Sequence, residues 1–180
     1  MVSSVTYPLF DYTFKLLLLG DASVGKTTLT HKYVSGIFLD NPRLTIGVDF
    51  LSKKVVIDGK STRLQIWDFG GEDRFRFLLP TYCKGANGAI FLYDITNSKS
   101  LYHLPDWTRI VKLNAGEIPI FLAGSKQDLE VYRTVSREDG VQTAKENNLA
   151  GFMEISSKTG VNVEESFQTI TRIMISRAKK

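Results

Sequence analysis

The sequence has few of the features that mark secreted, membrane-spanning or metal-binding proteins. Cys83 is the single cysteine among 180 residues, so no disulfide can form within the chain, as is typical of a reducing compartment. The two histidines, His31 and His103, have no cysteine or acidic cluster around them, and we expect neither to bind a metal. No apolar run approaches the roughly 18 residues of a membrane-spanning helix, and the N-terminus does not have the pattern of a signal peptide.

Lipid-attachment signals are also missing. Val2 excludes N-myristoylation, and the last residues, Arg177 to Lys180, contain no cysteine for prenylation. We therefore expect either no lipid or a tail beyond Lys180. The expected location is the cytoplasm, with peripheral membrane binding if such a tail exists.

The composition is that of an ordinary globular domain. Hydrophobic residues make up 43% of the chain and charged residues 23%, which is enough for a core and a solvated surface. The net charge of +4 is spread along the chain, which favours a solvated surface over a nucleic-acid interface.

Short apolar runs alternate with longer amphipathic stretches, which predicts an α/β domain with a mainly parallel sheet. Asp58-Gly59 is a strong hairpin signal and adds one antiparallel strand. The predicted strands cover residues 14–19, 49–57, 63–68, 89–93 and 118–123.

Several helices carry start signals. Ser136 with Asp139, and Asn162 with Glu165, predict N-terminal caps of two helices. Another helix is expected to begin near Pro105, because proline is tolerated in a first turn. One face of the last helix is expected to pack on the core, and it consists of Val163, Phe167, Ile170 and Met174.

The first strand is followed by a phosphate-loop pattern, Gly20-Asp21-Ala22-Ser23-Val24-Gly25-Lys26-Thr27. Its glycines let the backbone curl so that several N–H groups face one phosphate, next to the N-terminus of a helix predicted over residues 26–35. Lys26 supplies a positive charge to the β- and γ-phosphates, and the Thr27 hydroxyl is a hard ligand suited to Mg²⁺. The order of strand, loop and helix disfavours a simple glycine turn. The pattern alone does not distinguish ATP from GTP.

Three further motifs follow later strands. Asp68-Phe69-Gly70-Gly71 lies at the end of a strand, where parallel sheets bind ligands. Asp68 can hold magnesium through water there, and Gly71 can offer its N–H to a γ-phosphate. Alone, such a motif is more often a turn. The other two motifs are Gly124-Ser125-Lys126-Gln127-Asp128 and Ser156-Ser157-Lys158.

With these four motifs in this order, the chain resembles the Ras superfamily of small GTPases over residues 14–175. The resemblance implies a three-layer P-loop sandwich, with a six-stranded, mostly parallel sheet, one antiparallel edge strand and about five helices. It also implies a GTPase domain over residues 14–176, an N-terminal extension over 1–13 and a basic end over 177–180. The implied function is a monomeric GTP/GDP switch that hydrolyses GTP with Mg²⁺, slowly without a partner, and binds protein effectors through residues 39–47 and 69–80. The implied regulators are an exchange factor and an activating protein.

The resemblance also assigns roles to individual residues. Asp128 would select guanine by accepting hydrogen bonds from the ring N–H and the amino group, and Lys126 would lie along the base. The expected nucleotide-binding residues are Asp21, Ala22, Ser23, Val24, Gly25, Lys26, Thr27, Thr28, Phe38, Ser125, Lys126, Asp128, Ser156, Ser157 and Lys158. The expected magnesium ligands are Thr27, Thr45 and Asp68. The expected catalytic residues are Lys26, Thr45, Gly71 and Glu72.

Within the superfamily, segments 46–50 and 93–96 look Rab-like. The double glycine of segment 68–71 is similar to the Arf branch, whereas the loop over residues 38–45 is shorter than in most Rab proteins. This mixture looks most like archaeal Rab-like GTPases.

Departures from the family pattern leave alternatives open. Glu72 replaces the Gln that orients the attacking water, and the sign of its effect on hydrolysis is open. Ser125 replaces Asn, so we expect lost contacts to the base or the phosphate loop and weaker nucleotide retention. The alternative function is a binding-only scaffold with little hydrolysis, while Asp128 disfavours an ATP-dependent kinase.

Nucleotide-dependent ordering is expected in residues 39–47 and 69–80. Four aromatic residues would then either form a partner surface or pack the hairpin on the domain: Phe50, Trp67, Phe75 and Tyr82.

Overall fold

The protein is described here by a computed structural model that covers residues 10–179. Its strands form one six-stranded sheet in the order β2-β3-β1-β4-β5-β6. Only β2 and β3 pair antiparallel, at one edge, and all other neighbours are parallel. This confirms the predicted α/β architecture. The strands are β1 (Tyr12–Leu19), β2 (Val48–Ile57), β3 (Lys60–Phe69), β4 (Gly88–Asp94), β5 (Ile120–Ser125) and β6 (Gly151–Glu154).

Residues 10–179 contain six α-helices, one more than the approximate expectation, because the stretch after β4 forms two helices. The helix expected near Pro105 begins at Leu104, directly after a shorter helix. The α-helices are α1 (Lys26–Ser35), α2 (Leu79–Tyr82), α3 (Ser98–Tyr102), α4 (Leu104–Ala115), α5 (Arg137–Glu146) and α6 (Val163–Ala178). Two 3₁₀ segments, Asp73–Leu78 and Gln127–Tyr132, complete the list. No helix within residues 10–179 is both long and apolar enough to cross a membrane.

Helices cover both faces of the sheet. Along β1, Leu16 and Leu18 join the core cluster under α1 and α6, whereas Leu17 and Leu19 join the cluster under α4. A strand with two covered faces has a continuous apolar sequence instead of an alternating one. The predicted apolar face of α6 is buried as expected: Val163, Phe167, Ile170 and Met174.

The hairpin between β2 and β3 brings two later segments of the site together. Asp58 and Gly59 both have positive φ, 49° and 75°, as a type I′ turn requires. From this turn the strands pair without interruption to Val48 opposite Phe69. Residues 39–47 and 70–80 therefore meet at the same edge of the sheet.

One predicted cap is confirmed in full, whereas the other is confirmed in its position but not in its capping bond. Ser136 Oγ accepts a hydrogen bond from Asp139 N (3.0 Å), and Asp139 Oδ2 accepts one from Ser136 N (3.2 Å), which forms a capping box. Asn162 precedes α6 but makes no capping bond. It has a φ of +57°, and its Nδ2 donates instead to Glu154 O at 2.8 Å. Its side chain thus ties the loop to β6.

The N-terminal strand begins earlier than predicted. Asp11 exchanges hydrogen bonds with Ser61, so pairing beside β3 starts before Tyr12. Residues 1–9 of the expected N-terminal extension, and residue 180 of the expected basic end, lie outside the described chain.

Candidate functional site

A cleft of about 500 Å³ opens at the carboxyl ends of the parallel strands, where α/β sheets bind ligands. It is lined by the phosphate loop, residues 38–45, the end of β3, and the loops after β5 and β6. Of the predicted site residues it brings together Ala22, Ser23, Val24, Gly25, Lys26, Thr27, Thr28, Phe38, Thr45, Gly71, Glu72, Ser125, Lys126, Asp128, Ser157 and Lys158. The predicted residues Asp21, Asp68 and Ser156 are not among the residues that line it.

The phosphate loop is tightly folded. Gly20 has a φ of +130°, and an added Cβ would lie 2.2 Å from Leu92 O, so only glycine fits. Lys26 Nζ spans the loop and donates to Gly20 O (2.8 Å) and Asp21 O (2.7 Å). Burial lowers the pKa of Lys26 to about 8, partly offset by the carboxylates of Asp68 and Asp21. The ammonium group is thus fixed beside the loop at the cost of lost hydration.

Three oxygen-bearing side chains from distant segments meet beside Lys26. Thr27 Oγ1 donates to Asp68 Oδ2 (2.5 Å) and lies 2.7 Å from Thr45 Oγ1. Thr45 Oγ1 is also 3.3 Å from Asp68 Oδ2. Burial raises the pKa of Asp68, opposed by the Thr27 hydrogen bond and by Lys26.

This group fits a magnesium ion. Asp68 Oδ1 is buried and has no hydrogen-bond partner among residues 10–179, and a buried unpaired carboxylate oxygen is costly without a cation or a donor. One carboxylate with hydroxyl oxygens is the donor set that Mg²⁺ accepts when phosphates complete its coordination.

Close backbone approaches join residues 69–80 both to the phosphate loop and to residues 39–47. A Cβ on Gly71 would lie 2.2 Å from Ala22 N and 2.2 Å from the Asp21 carbonyl carbon. Gly70 N donates to Gly47 O at 2.8 Å, and a Cβ on Gly70 would lie 2.6 Å from Thr45 O. The sequence singled out Gly71 for its N–H group, but the packing role of Gly70 was missed.

The loops after β5 and β6 are held by side-chain contacts. Asp128 Oδ1 accepts a hydrogen bond from Ser156 Oγ at 2.6 Å, so Ser156 acts on the site through Asp128. Lys126 Nζ pairs with Asp94 Oδ2 at 2.6 Å. Asp94 was not among the predicted site residues, although its strand-end position was a usable signal.

Of the two losses expected for Ser125, to the base or to the phosphate loop, the contact with the phosphate loop is retained. Ser125 Oγ is buried 2.5 Å from Val24 O and 2.9 Å from Tyr93 O. The short hydroxyl therefore still joins the loop after β5 to the phosphate loop.

The side chain of Asp21 faces the helices instead of the cleft. Its carboxylate lies 2.6 Å from His103 Nδ1, accepts a hydrogen bond from Trp107 Nε1 at 3.1 Å, and lies 3.8 Å from Arg76 Nη2. Its carbonyl oxygen accepts a hydrogen bond from the predicted site residue Lys26 at 2.7 Å. No local sequence signal marks the contact between Asp21 and His103 across 82 residues.

The profile of the Ras family matches residues 15–176. The chain belongs to the Ras family. It is 39% identical to Ras-related protein Rab-19 of Xenopus laevis over 169 residues, which are 93% of this chain and 79% of that protein. It is 40% identical to Ras-related protein Rab-13 of Rattus norvegicus over 164 residues, or 91% and 80% of the two chains. The predicted Rab-like resemblance is confirmed, and the chain is a GTP-hydrolysing small GTPase.

In this Rab-like GTPase, Gly71→Ala is expected to lower GTP affinity about tenfold and to change GDP affinity little. The new methyl group would push residues 69–80 off the phosphate loop, and overpacking of this kind costs about 1–3 kcal/mol. This follows from the γ-phosphate contact expected of Gly71, since only GTP carries a third phosphate. Titration with fluorescent GTP and GDP analogues measures both affinities.

The control for this variant is Gly88→Ala, at the end of β4 opposite the cleft, whose new Cβ would lie 2.8 Å from Met174 Sδ and so also overpacks the core. It should keep the wild-type ratio of GTP to GDP affinity. An equal loss of both affinities in Gly71→Ala would contradict the prediction.

A pH dependence follows from the buried Lys26, because burial lowers its pKa to about 8. Bound phosphates favour the charged ammonium and raise its pKa, so binding above pH 8 takes up a proton. GDP affinity should therefore be nearly constant below this pKa and fall up to about tenfold per pH unit above it. Binding of fluorescent GDP between about pH 6.5 and 9 measures this.

The matched variant is Lys26→Arg, because the guanidinium group stays charged throughout this range. The difference between the two pH profiles isolates the lysine. If the wild type and the arginine variant have parallel profiles, the titration of Lys26 does not control binding.

Proposed function

We propose that the cleft binds GTP or GDP with Mg²⁺, and that the nucleotide sets the arrangement of residues 39–47 and 69–80, which bind protein effectors. One observation carries this proposal: the side-chain oxygens of Thr27, Thr45 and Asp68 lie within hydrogen-bond distance of one another. The three residues come from the phosphate loop, from residues 39–47 and from β3. A ligand that needs all three oxygens stabilises one arrangement of these segments.

The phosphate end of the cleft binds by charge and by oriented donors. Lys26 and the N–H groups of the phosphate loop contact the phosphates, and the Thr28 hydroxyl reaches the α-phosphate. Thr27, Asp68 and, in the GTP form, Thr45 would hold the magnesium ion, which supplies positive charge against the phosphate oxygens. The Gly71 N–H group donates to the γ-phosphate.

The base end selects guanine. The Asp128 carboxylate accepts hydrogen bonds from the guanine N–H and amino groups, a pair of donors that adenine does not have. Its contact with Ser156 supports this orientation. Lys126 lies along the base, the Ser157 N–H group meets the guanine oxygen, and Phe38 covers the base edge. Lys158 completes the lining.

Hydrolysis in such a site depends mainly on positioning and on charge stabilisation. Lys26, Thr45, Gly71 and Glu72 all line the phosphate end of the cleft. Ser125 keeps its contact with the phosphate loop, so no contact made by this residue favours a binding-only scaffold.

Aromatic packing supports an effector surface beside these segments. Phe50 and Trp67 pack edge to face at 5.2 Å, and Trp67 lies 5.5 Å from Tyr82. Phe50 is nevertheless 47% exposed, and Ile46 and Phe77 are 80% and 73% exposed. The surface thus joins β2 to both segments. By its likeness to Rab proteins, the proposed setting is vesicle traffic, with an exchange factor and an activating protein as regulators.

Asp128→Asn tests guanine selection. An amide offers one donor and one acceptor where the carboxylate offers two acceptors, so a guanine N–H group loses its partner. GDP affinity should fall by about 100-fold or more, as is typical when a buried polar group loses its partner. Affinity for xanthosine diphosphate should rise, because xanthine has a carbonyl in place of the amino group. Competition binding against a fluorescent GDP measures both.

Ser156→Ala serves as the matched control, because it leaves the Asp128 carboxylate in place. It should weaken GDP binding moderately and keep the preference for guanine over xanthine. Retained guanine preference in Asp128→Asn would disprove the assigned role of Asp128.

Removal of magnesium tests the other end of the cleft. Chelation with EDTA should speed release of bound GDP by at least about tenfold in the wild type, since a divalent ion contributes several kcal/mol of charge stabilisation. In Asp68→Asn, release should already be fast and chelation should add little. Stopped-flow release of fluorescent GDP gives these rates.

Asp49→Asn is the control, because Asp49 pairs with Asp68 across β2 and β3 but is exposed. It should respond to EDTA as the wild type does. The magnesium assignment fails if chelation accelerates release equally in Asp68→Asn and the wild type.

A further inference from the structure

Glu72 lines the cleft and pairs with a counter-charge just outside that lining, on Arg74. Its side chain is 27% exposed, and its Oε2 accepts a hydrogen bond from Arg74 Nε at 2.5 Å. Glu72 lines the cleft directly after Gly71, which presses on the phosphate loop. A glutamine at this position could not form an ion pair with Arg74, so the contact depends on the glutamate of this chain.

Arg74 is held in place from its other side. Its guanidinium carbon lies 4.8 Å from the centre of the Phe75 ring, within the range of a cation–π contact. Phe75 is half-buried and packs beside Gly70, since a Cβ on Gly70 would lie 2.9 Å from Phe75 Cδ2. A continuous series of contacts thus runs from the Gly70 backbone through Phe75 and Arg74 to Glu72 at the cleft.

The neighbouring charges do not compete for Arg74. Asp73 Oδ1 and Arg76 Nε form an ion pair at 2.9 Å, although their relative orientation is not that of a hydrogen bond. Arg76 also approaches Asp21. Within residues 10–179, Glu72 is the only acid in salt-bridge distance of Arg74. Each acid of residues 72–76 therefore has a separate arginine.

We propose that Arg74 is a positioning residue for GTP hydrolysis, which neutralises the Glu72 carboxylate and orients it beside the γ-phosphate. This inference depends on the nucleotide site proposed above. An unpaired carboxylate would be repelled by the triphosphate and would turn toward solvent. Paired with a guanidinium, it is nearly neutral and stays at the phosphate end of the cleft.

In that position the carboxylate accepts a hydrogen bond from the attacking water and fixes its direction. The water oxygen bonds to the γ-phosphorus while the bond from this phosphorus to the β–γ bridging oxygen breaks. The electron pair of the broken bond stays on GDP, and the proton of the water passes to the phosphate released. Arg74 does not touch the reacting atoms and acts only through Glu72.

The test is a double-mutant cycle in single-turnover hydrolysis of preloaded GTP with Mg²⁺. Arg74→Ala should slow hydrolysis about two- to fivefold, the range expected for an exposed ion pair. Arg74→Lys should restore part of the rate, because it keeps the charge. In the Glu72→Gln background, Arg74→Ala should change the rate by less than about 1.5-fold, since the coupling partner is gone.

Two controls separate positioning from structure. The GDP release rate should be the same in Arg74→Ala and the wild type, and Arg109→Ala, an exposed arginine of α4, should hydrolyse GTP at the wild-type rate. An equal effect of Arg74→Ala in both backgrounds would overturn the positioning role and leave the proposed function intact. Failure of the wild type to retain GTP would overturn both, whereas retained GTP without hydrolysis would overturn the positioning role alone.

Discussion

Where Gly71 meets the phosphate loop, two backbone segments lie so close that not even a methyl group fits between them. The rest of the site depends on this contact. It fixes where residues 69–80 begin, and so places Glu72 at the phosphate end of the cleft. Through the contact of Gly70 with Gly47 and Thr45, it also sets the position of residues 39–47. Backbone segments packed this closely leave no free space between them, so a small displacement of one segment must move the others.

Charge burial makes the same region sensitive to what binds there. Lys26 and Asp68 are both buried. Burial lowers the pKa of Lys26 and raises the pKa of Asp68, which favours the neutral form of each residue. Each residue partly supports the charge of the other, yet one oxygen of Asp68 has no hydrogen-bond partner in the described chain. A ligand that brings negative charge to Lys26 and positive charge to Asp68 relieves both costs at once. This explains why nucleotide and metal are expected to bind together.

Local sequence patterns predicted the helices, the strands and most residues of the cleft, because each of these patterns depends on residues that are neighbours in the sequence. The Asp58-Gly59 turn, the Ser136 cap and the phosphate loop are of this kind, and strand order then carries the motifs to one edge of the sheet. The structure differs from the expectations at polar side chains that have more than one possible hydrogen-bond partner. Asn162 donates across the loop to Glu154 instead of capping α6. Ser125 reaches Val24 O despite its short side chain, and only the three-dimensional distance between their loops could show this.

The carboxylate of Asp21 extends the argument beyond the cleft. It contacts His103 and Trp107 near the start of α4 and lies within ion-pair distance of Arg76, while its carbonyl oxygen accepts a hydrogen bond from Lys26. Residues 69–80 are therefore attached to the phosphate loop twice, through the Gly71 backbone and through the Arg76 side chain. The two contacts are expected to form together and to break together, because each one holds the segment in the position that the other requires. A segment held in this way suits a switch with two states, since partial release gains little freedom.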